Sequence, residues 1–186
     1  SGSVVGFDTR YKFNKTYQME IQTLFSKTQE PNDSLLVSST IFGDDNTFTF
    51  DGESFTGNAV ELEFRRETEH WGLETGYDHK TPTFRADNGF ISNNNQRRVY
   101  LQSFWVYTPD KLISKIVGGF HTGLEYNFDG EKKSRYTSFF GNVVLPRQTR
   151  LNVNITVIPF ERFKATGLEN LWTIRANINT RFNEFL

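Results

Sequence analysis

The sequence predicts an all-β fold: an antiparallel up-and-down meander of about nine long strands that forms part of a transmembrane β-barrel. Three observations predict it. Apolar and polar residues alternate with a period of two. Short and long connections follow one another along the chain. Aromatic side chains mark both ends of the apolar runs.

The strands follow in order. The first, 4–14, sets Val5, Phe7, Thr9, Tyr11 and Phe13 against Asp8, Arg10 and Lys12. The second, 17–28, sets Tyr17, Met19, Ile21 and Phe25 against Gln18, Glu20 and Gln22. In the third, 57–67, Val60, Leu62 and Phe64 oppose Glu61, Glu63 and Arg65. In the fourth, 69–79, Trp71, Leu73 and Tyr77 oppose Glu74 and Asp78. The fifth, 96–107, carries Val99, Leu101, Trp105 and Tyr107 against Arg98 and Gln102, and Phe104 and Val106 blur it. The sixth, 112–128, carries Ile116, Phe120, Leu124, Tyr126 and Phe128 against His121, Glu125 and Asn127. The seventh, 134–145, is ambiguous, with Phe139, Val143 and Leu145 on one face but Tyr136 and Phe140 on the other. The eighth, 149–158, is the clearest: Leu151, Val153, Ile155 and Val157 alternate with Asn152, Asn154 and Thr156. The ninth, 171–183, places Trp172, Ile174, Ala176, Ile178 and Phe182 on one parity and Arg175, Asn177, Asn179, Arg181 and Asn183 on the other. Several strands exceed the roughly 5–6 residues usual in soluble sheets. A tilted strand of about 9–11 residues spans a bilayer.

Tight turns are expected at Asn14-Lys15-Thr16, Glu67-Thr68, Thr108-Pro109-Asp110 and Pro146-Arg147-Gln148. Between them lie longer connections at 28–56, 80–95 and 159–170, and an intermediate one at 129–133. This is the layout of an outer-membrane barrel with periplasmic turns and external loops. A Greek-key sandwich has no reason to keep that order.

The aromatic load is 16%, with 19 Phe, 7 Tyr and 3 Trp, yet the mean hydropathy is −0.56. A barrel reconciles the two, because only alternate residues meet lipid. The membrane-interface aromatics are then Phe13, Tyr17, Phe64, Trp71, Trp105, Tyr107 and Phe182, joined at the loop end by Phe25, Tyr77, Tyr126, Phe128 and Trp172. The polar parity would line the lumen: Asp8, Arg10, Lys12, Glu20, Glu61, Glu63, Arg65, Glu74, Asp78, Arg98, His121, Glu125, Arg175 and Arg181. Its mixed signs predict cross-strand ion pairs rather than strong ion selectivity. Both an open polar channel and a lumen filled by its own salt bridges fit this pattern.

Composition excludes several classes. With 21 Lys+Arg against 22 Asp+Glu, the net charge of −1 argues against binding nucleic acid by phosphate neutralisation. No Cys is present, which removes disulfides, zinc-thiolate sites and Cys nucleophiles. No run of about 18 apolar residues offers a membrane helix. Glu61 and Glu63 share one strand face, as a glycosidase pair would, but Arg65 continues that face and makes a paired wall the better reading. His70, His79 and His121 lack metal-ligand spacing. Gly43-Asp44-Asp45-Asn46 and Asp51-Gly52-Glu53 offer carboxylates for calcium without EF-hand spacing, so a solvated loop tip is expected. No nucleophile elbow, phosphate loop or dinucleotide fingerprint occurs. No catalytic residue, metal or cofactor is expected.

The chain is read as one barrel segment, 1–186, with strands missing at both ends, since single-chain bacterial barrels use even strand numbers. Val5-Gly6-Phe7-Asp8-Thr9-Arg10-Tyr11-Lys12-Phe13-Asn14 resembles an entry hairpin of the domain-of-unknown-function 5916 family. Phe84-Arg85-Ala86-Asp87-Asn88-Gly89-Phe90-Ile91, followed by Arg97-Arg98, resembles a loop of that family, with Ala86-Asp87 where its pattern has an Asn-Pro-Glu run. Thr180-Arg181-Phe182-Asn183-Glu184-Phe185-Leu186 resembles its penultimate hairpin. The resemblance implies a Gram-negative outer-membrane barrel behind a carbohydrate-binding-like domain. It implies a link to glycan handling, and no catalytic residues come with it. The expected function is a non-enzymatic pore, transport or surface-scaffold element in contact with outer-membrane lipid and open to a glycan or other small solute. The alternative is a soluble all-β module binding polysaccharide through Trp71, Trp105 or Trp172.

Overall fold

The computed structural model of the chain describes residues 1–43, 46–86, 94–109, 113–145, 149–163 and 166–180. Nine antiparallel strands form one sheet in sequence order: β1 (Gly2–Phe13), β2 (Tyr17–Gln29), β3 (Ser54–Glu67), β4 (Trp71–Lys80), β5 (Gln96–Tyr107), β6 (Lys115–Tyr126), β7 (Lys132–Val144), β8 (Arg150–Phe163) and β9 (Thr166–Asn179). The expected meander and its nine strands are therefore present. The sheet is not closed on itself: β1 and β9 are its two edges, and both are exposed along their length.

Away from two bulges, in β7 and β8, register keeps each parity on its own face. Thr9 pairs with Ile21, Ile21 with Leu62, Leu62 with Tyr77, Tyr77 with Val99 and Val99 with Leu124. Further along, Phe120 pairs with Phe139, Phe139 with Ile155 and Ile155 with Ile174. A slip of one residue anywhere would move a strand's apolar set to the other side. The first turn fixes its hairpin locally. Asn14 takes φ 60°, a conformation Asn tolerates better than most residues, and its Oδ1 accepts from Lys15 N at 2.8 Å.

The eighth connection departs from expectation. The segment 159–170 is not a long loop, because β8 continues to Phe163 and β9 begins at Thr166. Pro159, the expected start of the long connection, is absorbed as an irregularity within β8. It has no N–H for the ladder, and the position opposite, Asn170, takes φ 56°. On the β7 side, Ile158 and Pro159 together face Tyr136, between the pairs Arg135–Phe160 and Thr137–Val157. Trp172, expected at a loop end, consequently stands inside β9 opposite Val157. The third turn is also longer than expected, with β4 starting at Trp71. There Thr68 Oγ1 donates to Trp71 O at 2.7 Å and closes the hairpin.

The burial is inverted relative to a soluble sheet. Among the described residues the buried hydrophobics are Phe55, Ala59 and Phe84, none of them on the face that carries the aliphatic rows. That face is open: Val5 and Ile178 are each 71% exposed, and Trp172 is 67% exposed.

Candidate functional site

The polar face is built by alternation, so its charges stand in cross-strand rows. Arg10 on β1 pairs with Glu20 on β2, Nε to Oε1 at 2.8 Å. Gln18 also donates to Glu20 Oε1. Glu20 faces Glu63 directly across the ladder, a like-charge pair that would repel. Arg65 offsets it, reaching Glu63 at 2.8 Å and Glu74 at 3.1 Å. Asp78 accepts from Arg98 Nε at 2.6 Å and from Gln96 Nε2 at 3.1 Å. Glu125 pairs with Lys133 at 3.2 Å, where an extra residue bulges β7. Pairs with both partners open to water, such as Arg10–Glu20, contribute at most about 1 kcal/mol, so there the ladder sets charge placement more than stability.

All of the expected polar set that the structure describes lies on this face: Asp8, Arg10 and Lys12 on β1, Glu20 on β2, Glu61, Glu63 and Arg65 on β3, Glu74 and Asp78 on β4, Arg98 on β5, His121 and Glu125 on β6, and Arg175 on β9. Arg181 lies outside the described residues. Glu61 has no ion-pair partner among the described residues and stands between two recesses. One, of about 350 Å³, is lined by Gln22, Ala59, Glu61, Asp78, Arg98 and Glu125 among others. The second, of about 400 Å³, is lined by Arg10, Glu20, Glu61 and Glu63 among others. The Glu61–Glu63 pair is thus part of a charge ladder, with Glu63 held by Arg65.

Phe104, Tyr136 and Phe140, which blur the alternation, have a common explanation. Gly72 and Gly76 on β4 face Phe104 and Tyr100 on β5, and Gly119 and Gly123 on β6 face Phe140 and Tyr136 on β7. In each case the ring lies over the glycine. A Cβ at Gly72 would stand 2.2 Å from the Phe104 ring, and at Gly76 2.6 Å from that of Tyr100. At Gly119 and Gly123 the distances to Phe140 and Tyr136 are 2.6 and 2.8 Å. Two strand pairs thus repeat one joint, glycines four apart under aromatics four apart. The Tyr100 hydroxyl crosses β4 to donate to Glu63 at 3.2 Å, and the Tyr136 hydroxyl sits 2.9 Å from His121 Nε2. Sequence alternation alone could not find these joints, since their signal is register between strands.

Beyond β6 amides and hydroxyls take over most of the polar face, which still carries Arg175 on β9. Asn142 donates to Asn152, Asn152 to Asn177 at 2.6 Å, and Ser138 meets Thr156 at 2.6 Å. One half of the face is therefore an ion-pair ladder and the other an amide and hydroxyl ladder.

Two connections fold onto the polar face at its loop end. Phe84 runs directly over Gly57 of β3, where a Cβ would stand 2.3 Å from the Phe84 Cα, so only glycine fits. Arg85 N donates to Ser26 Oγ at 3.2 Å. The Arg85 guanidinium meets Glu30 Oε1 at 2.9 Å and stacks 4.8 Å from the Phe42 ring and 4.9 Å from Phe55. Phe42 in turn packs edge-on against Phe55 at 5.3 Å. This small cluster joins residues 30–43 and 46–53 to the 81–86 segment as a cover. Neither Glu30 nor Arg85 is a candidate from sequence, because 55 residues separate them.

The aromatics expected at the membrane interfaces collect on the apolar face. Phe13, Tyr17 and Phe64 stack near the short turns, with centroids 5.2 Å apart for Phe13–Tyr17 and 6.1 Å for Tyr17–Phe64. Trp71 faces Trp105 across the ladder and carries the Arg66 guanidinium 4.3 Å from its ring. Tyr107 lies opposite Ile116 on the same face. At the loop end His79 lies between Tyr77 and Phe128, 5.7 Å from each. Phe182 lies outside the described residues. No protein-family model, curated protein or solved structure matches the chain significantly.

Proposed function

We propose that the chain is a segment of an outer-membrane β-barrel, non-enzymatic, whose apolar face meets lipid and whose charged face lines a lumen. It would serve as a pore, transport or surface-scaffold element. The observation that carries this reading is the inverted burial. Nine strands present rows of Val, Ile, Leu, Phe and Trp on one uncovered face of the sheet, while charges and amides hold one another on the opposite face. A soluble sheet of this size would bury those rows under a second layer. In lipid no second layer is needed. On this reading the open edges pair with further strands that close the barrel, because a bilayer leaves no room for unpaired backbone. The ion-pair ladder keeps the lumen wall close to neutral, and residues 30–43, 46–53 and 81–86 cover part of its outer mouth. The solute is a small polar molecule, with glycans included through the family resemblance.

The test is fractionation of the full-length protein together with its migration on gels before and after heating. Recovery in the outer-membrane fraction and heat-modifiable migration are expected. Clean solubility without detergent overturns the reading.

A further inference from the structure

Three carboxylates converge at the base of the β2–β3 connection. One oxygen from each of Glu30, Asp51 and Glu53 lies within 4.8 Å of the others. The backbone holds them there: Glu30 N donates to Glu53 O at 3.0 Å, and Asn32 bridges to Asp51. Internal donors serve one oxygen of each group. Arg85 Nη1 takes Glu30 Oε1 at 2.9 Å, Glu53 N takes Asp51 Oδ1 at 3.2 Å, and Thr47 N takes Glu53 Oε2 at 3.0 Å. A second observation is independent of the clustering. The Glu30 side chain is 2% exposed, and its Oε2 is buried with no hydrogen-bond partner. A buried carboxylate oxygen requires a donor or a cation. Arg85 supplies one positive charge against three negative ones.

We propose that Glu30, Asp51 and Glu53 bind a calcium ion, with Glu30 Oε2 as its innermost ligand. The donor set is all oxygen, which selects a hard cation over zinc or copper. Carboxylates carried on a connection, each with an oxygen to spare, suit the large and adaptable shell of calcium better than the strict octahedron of magnesium. The ion would pin both arms of the β2–β3 connection. Through the Glu30–Arg85 contact it would also hold the 81–86 segment on the polar face. The site does not depend on the apolar face meeting lipid.

The test is calorimetric titration of CaCl₂ into the full chain after stripping with EDTA. One saturable site is expected, with Kd at about 10⁻⁴ to 10⁻³ M or tighter. Asp51→Asn and Glu53→Gln, both near the surface, should each weaken it at least ~10-fold while leaving the β-sheet circular dichroism unchanged. A flat titration up to ~10 mM calcium, or Asp51→Asn binding like the parent chain, overturns the proposal.

Discussion

The Tyr100 hydroxyl donates to Glu63 at 3.2 Å, although a whole strand, β4, lies between their strands. The reach exists because Gly76 has no side chain under the tyrosine ring. Gly76→Val should therefore lift the ring, break the contact and destabilise the protein by about 1–3 kcal/mol, as overpacking does. Gly141→Ala is the control, since a Cβ there meets nothing within 4 Å. Urea unfolding in detergent or lipid should show the first loss and no loss for the second. Equal behaviour of the two variants would contradict the joint.

Among the described residues Arg85 is the one partner of the buried Glu30 carboxylate, and it also caps the Phe42 and Phe55 rings. Arg85→Ala should cost roughly 3–5 kcal/mol locally, because it strands a buried charge. Arg85→Lys should recover only part of this, as an ammonium cannot reproduce the planar stacking. Limited proteolysis within 30–53 reads the effect. Cleavage as slow as in the parent chain would show that the contact does not hold the cover.

Ile155 stands between Phe139 and Ile174 on the apolar face, whereas its neighbour Thr156 points to the polar one. Ile155→Arg should destabilise the folded protein in a bilayer by ~2–4 kcal/mol if the site lies near the midplane. Thr156→Arg should cost much less. In a soluble sheet with this face in water, Ile155→Arg would be nearly neutral, so equilibrium unfolding from liposomes separates the two cases.

Much of this architecture is legible in the sequence because a half-polar strand must alternate. Strands such as 150–157, where Leu151, Val153, Ile155 and Val157 never break parity, carry their own faces in their residues. Three things are not legible. Phe104, Tyr136 and Phe140 look like errors in the pattern until register sets each over a glycine of the next strand. Pro159 looks like the start of a long connection until Asn170 adopts the left-handed backbone opposite it. The Glu30–Arg85 cover depends on two connections meeting, and no local pattern encodes such a meeting. The polar set is legible as a set, but its division into an ion-pair half and an Asn/Thr half appears only once strand order is known.

Arg65 neutralises Glu63 and Glu74 together. Arg65→Ala should leave a carboxylate row of Glu20, Glu61, Glu63 and Glu74 on the polar face. Stability should fall by no more than about 1 kcal/mol, because the pairs are half-exposed. If the face lines a conducting lumen, the reversal potential in planar bilayers should move toward cation selectivity. An unchanged potential in a conducting protein would remove this face from the ion path.

On the proposed reading the aromatic and aliphatic rows face lipid. All three tryptophans of the chain, Trp71, Trp105 and Trp172, share the apolar face. The direct measurement is tryptophan fluorescence of the protein reconstituted in vesicles, with quenching by brominated acyl chains compared with quenching by aqueous iodide. Strong quenching by the bromolipid and little by iodide is the predicted result. Strong iodide quenching with no bromolipid effect would contradict the account.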